Sequence, residues 1–136
     1  MRHILTSVVL LVLLFPSLGL SEKLYDLVGR EGVYYKRFTD VPFTGKVTGL
    51  SQGKIKNGKR VGPWVGFWDN GQISSKGTYK DGKREGPWVI YYKNGQLMTK
   101  GTYKDGKRDG PWVSYHEDGT VDEKHTGTFK DGKKVK

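Results

Sequence analysis

Short runs of apolar and aromatic residues recur along the chain between glycine-containing turns. One run occupies Trp64–Trp68, Trp88–Tyr92 and Trp112–His116, and it closes on DNG, KNG or EDG. Asn-Gly and Asp-Gly tolerate positive φ and favour the tight turns that join antiparallel strands. A second run occupies Gln72–Lys80, Gln96–Lys104 and Thr120–Lys130, with the motif KDGK at or just beyond its end. Each pair of runs predicts a β-hairpin, and further hairpins join one unit to the next. Strand alternation then assigns faces. Val65 and Phe67 share a face, as do Val89 and Tyr91, and Val113 and Tyr115. This pair barely changes between copies, so it is expected to form the core. The opposite face keeps Trp at its first position and varies at the others. It is the candidate binding face: Trp64, Trp68, Trp88, Ile90, Tyr92, Trp112, Ser114 and His116. The plainer reading is a set of half-exposed sheet residues. In the second run Ile73, Ser75, Gly77 and Tyr79 share a face. The third copy carries two extra residues, and an even insertion preserves facing, so Val121 and Phe129 are expected to point together.

The runs belong to a longer repeat. Gly53–Lys76, Gly77–Lys100 and Gly101–Thr126 are three copies, and a truncated fourth, GTFKDGKKVK, starts at Gly127. GTYKDGKREGPW and GTYKDGKRDGPW differ only at Glu85 against Asp109. A fixed period in the twenties predicts stacked supersecondary units that need their neighbours to bury a core. Residues 22–52 are expected to hold a linker and a degenerate capping copy, since YYKRFTDVPFTGKV (Tyr34–Val47) echoes YYKNGQLMTKGTY (Tyr91–Tyr103). Residues 1–21 have the pattern of a signal peptide. Arg2 precedes an apolar run from Ile4 to Phe15, and Pro16, Ser17, Gly19 and Ser21 follow. Cleavage after Gly19 or after Ser21 is expected, with export to the periplasm or the extracellular space. An uncleaved membrane anchor is the alternative.

At KDGKREGPWVIYYKNGQL the chain resembles the bacterial variant of the MORN-type repeat proteins, with their Gly-Pro-Trp and Tyr-Tyr/Asn-Gly motifs. Similar bacterial proteins carry a label of antitoxin-like repeat protein. The resemblance covers about Tyr34 to Lys136. It implies an all-β ribbon of stacked antiparallel hairpins, with protein–protein contacts or phospholipid head groups as the ligands. It implies no enzymatic activity and no cofactor.

Composition sharpens this picture. The chain has 24 Lys plus Arg against 14 Asp plus Glu, for a net charge of +10. Such a balance suits acidic partners. There is no Cys, so disulfides, thiolate chemistry and a lipoprotein anchor are excluded. Basic residues cluster in the turns at the repeat period, as Lys56, Lys80, Lys104 and Lys130 beside a candidate ridge of Lys59, Arg60, Lys83, Arg84, Lys107, Arg108, Lys133 and Lys134. A ridge of this kind suits anionic lipid. It also suits blocking of sheet edges against aggregation. His116, Glu117, Asp118, Asp122, Glu123 and His125 gather in the longest hairpin and are expected to form a solvated charged loop, because their spacing matches no metal site. The glycines are not followed by helices, as a phosphate loop requires. Export makes nucleic acid an unfavoured partner. The functional expectation is a non-enzymatic exported scaffold that binds an unidentified protein. Peripheral binding to anionic lipid through the ridge is the alternative, and self-association through sheet edges is a further mode.

Overall fold

The computed structural model describes residues 21–136. Residues 1–20 of the expected signal peptide therefore lie outside the described residues. The strands are β1 (Ser21–Lys23), β2 (Leu27–Arg30), β3 (Val33–Lys36), β4 (Gly45–Thr48), β5 (Ser51–Lys56), β6 (Lys59–Phe67), β7 (Ile73–Lys80), β8 (Lys83–Tyr91), β9 (Leu97–Lys104), β10 (Lys107–Ser114), β11 (Gly127–Lys130) and β12 (Lys133–Lys134). A 3-10 turn, Leu24–Asp26, joins β1 to β2. From β4 to β12 every strand pairs antiparallel with the next, and β1 closes the other edge by pairing parallel with β4. The β2–β3 hairpin stands apart as a two-stranded sheet.

Two kinds of turn alternate, as the sequence predicts. Asn57-Gly58, Asp81-Gly82, Asp105-Gly106 and Asp131-Gly132 all have positive φ at both residues, the conformation whose twist matches a two-residue hairpin. At the other edge Trp68 N–H donates to the Gln72 carbonyl at 2.7 Å, which leaves a three-residue loop ending on Gly71 at φ 84°. The Gly-Pro pair, which the sequence places ahead of the strand, lies inside it. β5 and β6 lose register between Gln52 and Lys54, opposite Val61 to Val65. Gly62 there adopts φ 70°. This is a β-bulge, and it is where a sheet interior tolerates Pro63. The same bulge recurs at Gly86-Pro87 and Gly110-Pro111.

The bulge accompanies a reversal of the sidedness that alternation suggests. Trp64, Trp88 and Trp112 are the core, at 5%, 3% and 3% exposure. Val65, Phe67, Val89, Tyr91, Val113 and Tyr115 are only half-buried. Each indole lies flat on a glycine of the preceding strand: Trp64 on Gly53, Trp88 on Gly77 and Trp112 on Gly101. A β-carbon at any of these glycines would overlap the ring. Tyr79 stands edge-on between Trp64 and Trp88, at centroid distances of 5.9 and 5.2 Å. Tyr103 does the same between Trp88 and Trp112, at 6.1 and 4.9 Å. At the N-terminal end Leu27, Phe43, Val47 and Ile55 complete the cluster around Trp64, with Leu24 and Tyr34 against it. The region expected to cap the stack thus contributes β2–β3 to this cluster.

Backbone and side-chain bonds tie unit to unit. Gly82, Gly106 and Gly132 N–H groups donate to the carbonyls of Arg60, Arg84 and Arg108. At the opposite edge the Asn70 amide donates to the Lys93 carbonyl at 2.9 Å, and the Asn94 amide to that of Glu117 at 3.2 Å. The third copy has Asp118, which keeps the local bonds to Thr120 but has no amide to donate. Val121 and Phe129 do not share a strand, contrary to expectation. Residues 122–125 turn about the Asp122 carboxylate, leaving Val121 at 44% exposure and Phe129 at 8%.

Placing alanine at Gly77 is expected to destabilise the chain by about 1–3 kcal/mol, the usual cost of forcing extra carbon into a filled core. Urea unfolding of Gly77→Ala beside the unaltered chain measures it. Gly101→Ala is expected to behave alike.

Candidate functional site

The pairing registers divide the residues of the repeat sheet between two faces. Arg60 lies on the aromatic face, paired with Ile55, and its guanidinium sits 4.7 Å from the Trp64 ring. It donates to the hydroxyls of Tyr79 at 2.9 Å and Tyr34 at 3.1 Å. Arg84 repeats the arrangement over Trp88 and donates to the Tyr103 hydroxyl at 3.0 Å. Burial works against the Arg84 charge, but the hydroxyls of Tyr79 and Tyr103 hold the guanidinium above its ordinary pKa. Arg108 lies 4.3 Å from the Trp112 ring, but the residue in the tyrosine position is Phe129, which offers no hydroxyl. The three arginines of the expected ridge are therefore structural covers for the tryptophans. Lys134, paired with Phe129, also leaves the ridge, and its ammonium donates to the Glu123 carbonyl at 2.7 Å.

The expected binding face fares similarly. Trp64, Trp88, Trp112 and Ser114 are buried. The Ser114 hydroxyl is 2.8 Å from that of Thr99, and its backbone N–H donates to Thr126 Oγ1 at 2.8 Å. Trp68 and Tyr92 are half-buried because they tie one unit to the next. The Trp68 indole donates to the Tyr91 carbonyl at 3.1 Å and the Tyr92 hydroxyl to that of Tyr115 at 2.8 Å. Ile90 is half-buried, and only His116 is exposed. In the charged loop the His125 ring is 2.7 Å from the Asp122 carboxylate, which it holds below its ordinary pKa. Among the described residues no three His, Asp or Glu side chains converge as metal ligands.

What remains free is the other face. Lys56 faces Lys59, Lys80 faces Lys83, Lys104 faces Lys107, and Lys130 faces Lys133, all directly across their turns. Like charges directly opposite destabilise a strand pair, and here the arrangement occurs at four successive turns. Every one of these lysines is exposed. Among the described residues none forms an ion pair, whereas at the other edge Lys93 holds Asp69 at 2.7 Å and pulls its carboxyl below the ordinary pKa. Successive turns stack, with the Lys59 side chain running against Gly82, Lys83 against Gly106 and Lys107 against Gly132.

Lysines that the turn clusters did not reveal extend the surface, among them exposed Lys46, which lies directly across from Lys54. Lys54 pairs with Val61, Lys76 with Val65 and Val89, and Lys100 with Val89 and Val113. Their spacing of four from Lys80 and Lys104, and of two from Lys56, was the available signal, since even spacing along a strand keeps one face. Glu85 and Asp109 also lie on this side, paired with Thr78 and Thr102. Glu85 is engaged as an acceptor from the Asp105 N–H at 2.8 Å. Between the lysines run two shallow apolar grooves. One, of about 480 Å³, is lined by Pro63, Val65, Lys76, Thr78, Pro87 and Val89 around the Trp64 and Trp88 backbone. The next, of about 350 Å³, repeats it with Pro87, Val89, Lys100, Thr102, Pro111 and Val113. The surface has the makings of a docking platform, with apolar strips set in positive charge and no catalytic constellation.

Replacing Phe129 by tyrosine should supply the acceptor that Arg108 lacks and stabilise the chain by about 0.5–1.5 kcal/mol, the net worth of one hydrogen bond. Thermal unfolding of Phe129→Tyr, with Arg108→Met/Phe129→Tyr to close the cycle, checks that the gain depends on the guanidinium.

No curated protein matches the chain. The family model for the MORN repeat variant matches three consecutive segments, residues 60–81, 84–105 and 108–131. Its repeats open at the tryptophan-covering arginines Arg60, Arg84 and Arg108 instead of at Gly53, Gly77 and Gly101. Each match thus runs from the second residue of a bulged strand through its hairpin partner to the first residue of the turn that follows, and the chain belongs to the MORN repeat variant family.

Proposed function

We propose that this chain is a non-enzymatic scaffold that binds an acidic protein partner on its lysine-bearing face. MORN repeats are associated with protein or membrane-lipid binding and form a non-catalytic module. The observation that carries the reading is the facing of lysine on lysine at four successive turns. The fold gains nothing from this repulsion, and an acidic ligand would relieve it. The Pro-Val grooves favour a protein over a lipid head group, because they offer apolar strips where a head group needs only charge. Export through the N-terminal segment would place the partner outside the cytoplasm. A second reading, docking on anionic lipid, draws on the same lysines. Each basic residue near an anionic surface contributes about 1 kcal/mol.

The test uses poly-glutamate and phosphatidylserine-containing vesicles as probes across a salt series. Lys76→Glu/Lys100→Glu is expected to weaken poly-glutamate binding by about tenfold or more, given about 1.4 kcal/mol per tenfold and two charges reversed. The charge-matched control Lys124→Glu/Lys136→Glu, at exposed lysines that line neither groove and form no ion pair among the described residues, is expected to change it far less. Equal loss in both variants would mean that net charge alone drives binding and would sink the reading. Tight binding to vesicles with none to poly-glutamate would replace the protein reading by the lipid one.

A further inference from the structure

The two apolar grooves repeat at the pitch of the sheet. Each is two strands from the next, about 9.5 Å at the usual strand spacing. A ligand that fills both must present an apolar side chain on one side at that interval. An extended β-strand returns to the same side every two residues, about 6.7 Å, and falls out of step. An α-helix returns after seven residues, about 10.5 Å, and its carbonyls are already bonded internally. A polyproline II segment returns every three residues, about 9.3 Å, and its backbone has no internal hydrogen bonds. Its free carbonyls can accept from lysine ammonium groups, and the residues between its apolar positions project to the sides. On this surface Lys76 and Lys100 stand within the valine row, while towards the turns Glu85 and Asp109, paired with the groove-lining Thr78 and Thr102, come before Lys80 and Lys104.

Resting on the reading of this face as a protein-binding surface, we propose that its occupant is a polyproline II segment with an apolar residue at every third position and acidic residues between. The segment runs across the strands, with consecutive apolar side chains in the Pro63-Val65-Val89 and Pro87-Val89-Val113 grooves. Its carboxylates meet Lys76 and Lys100 in the valine row, on the flank away from Glu85 and Asp109. Val89, shared by both grooves, is the centre of the contact.

Calorimetric titration of the chain with designed peptides tests this. One peptide repeats Pro-Leu-Glu, a second has the same composition shuffled, and a third replaces Leu by Ser. A fourth arranges Leu and Glu in helical heptads. The ordered peptide is expected to bind at least about tenfold tighter than the shuffled and Ser peptides, the factor that burial of one or two leucines supplies. Val89→Glu should abolish that advantage, and Lys76→Glu/Lys100→Glu should weaken the ordered peptide. Val89→Thr, a milder change on the same surface, should reduce the advantage if Val89→Glu fails to fold. Equal binding of the ordered, shuffled and Ser peptides overturns the groove inference while leaving charge recognition by the lysine face standing. Preference for the heptad peptide overturns it in favour of a helix. Failure of all peptides, together with loss of poly-glutamate binding, overturns the scaffold reading as well.

Discussion

The structure depends on an indole lying flat against a glycine. A single-layer sheet has no second layer to bury an aromatic side chain, so the chain must supply cover from within the repeat. Gly53, Gly77 and Gly101 remove the β-carbon that would lift the ring from the sheet. Tyrosine from the neighbouring hairpin closes the edge of the ring, and arginine closes its upper face. Edge-to-face aromatic pairs and cation–π contacts each contribute on the order of 1 kcal/mol. The Arg–Tyr hydrogen bonds link one such stack to the next, so a unit is complete only with its neighbour in place.

Filling one face in this way releases the other. Once Trp, Tyr and Arg supply the core, Val65, Val89 and Val113 are left half-exposed, and lysine can occupy the rest of that surface without burial. The division also separates two uses of positive charge that look identical in the turns. Arg60 and Lys59 are neighbours in the chain, yet one is a structural cover and the other is solvated and unpaired. The planar guanidinium stacks on an indole and forks to two hydroxyls, which an ammonium cannot reproduce. At the lysine positions any flexible cation suffices for electrostatic attraction.

The ladder is regular where each unit meets an equal neighbour and departs from regularity elsewhere. Asn70 and Asn94 have a carbonyl to reach, while Asp118 keeps only its own turn. Tyr79 and Tyr103 serve an arginine, while Phe129 meets Arg108 with ring alone. At the other end Tyr34 supplies the hydroxyl for Arg60 from the separate β2–β3 hairpin. These departures mark where the repeat environment changes, and they do so in single side chains.

The sequence by itself determined the hairpin as the unit, both kinds of turn and the repeat period. Turn chemistry is local, and a repeat multiplies each local signal. Only the tertiary structure decided which side of the sheet is inside. Alternation sorts residues into two sets but does not say which set is buried, and the near-constancy of the Val65-Phe67 pair across copies pointed to the wrong one. The Gly-Pro bulge and the glycine beneath each indole made the Trp face the one that closes. Neither is visible as a contact until the strands are in register. The same pairing exposed Lys76 and Lys100 as part of the free surface, and drew Arg60, Arg84 and Arg108 out of it. A turn cluster records nearness along the chain, whereas a face is set by hydrogen-bond register between strands.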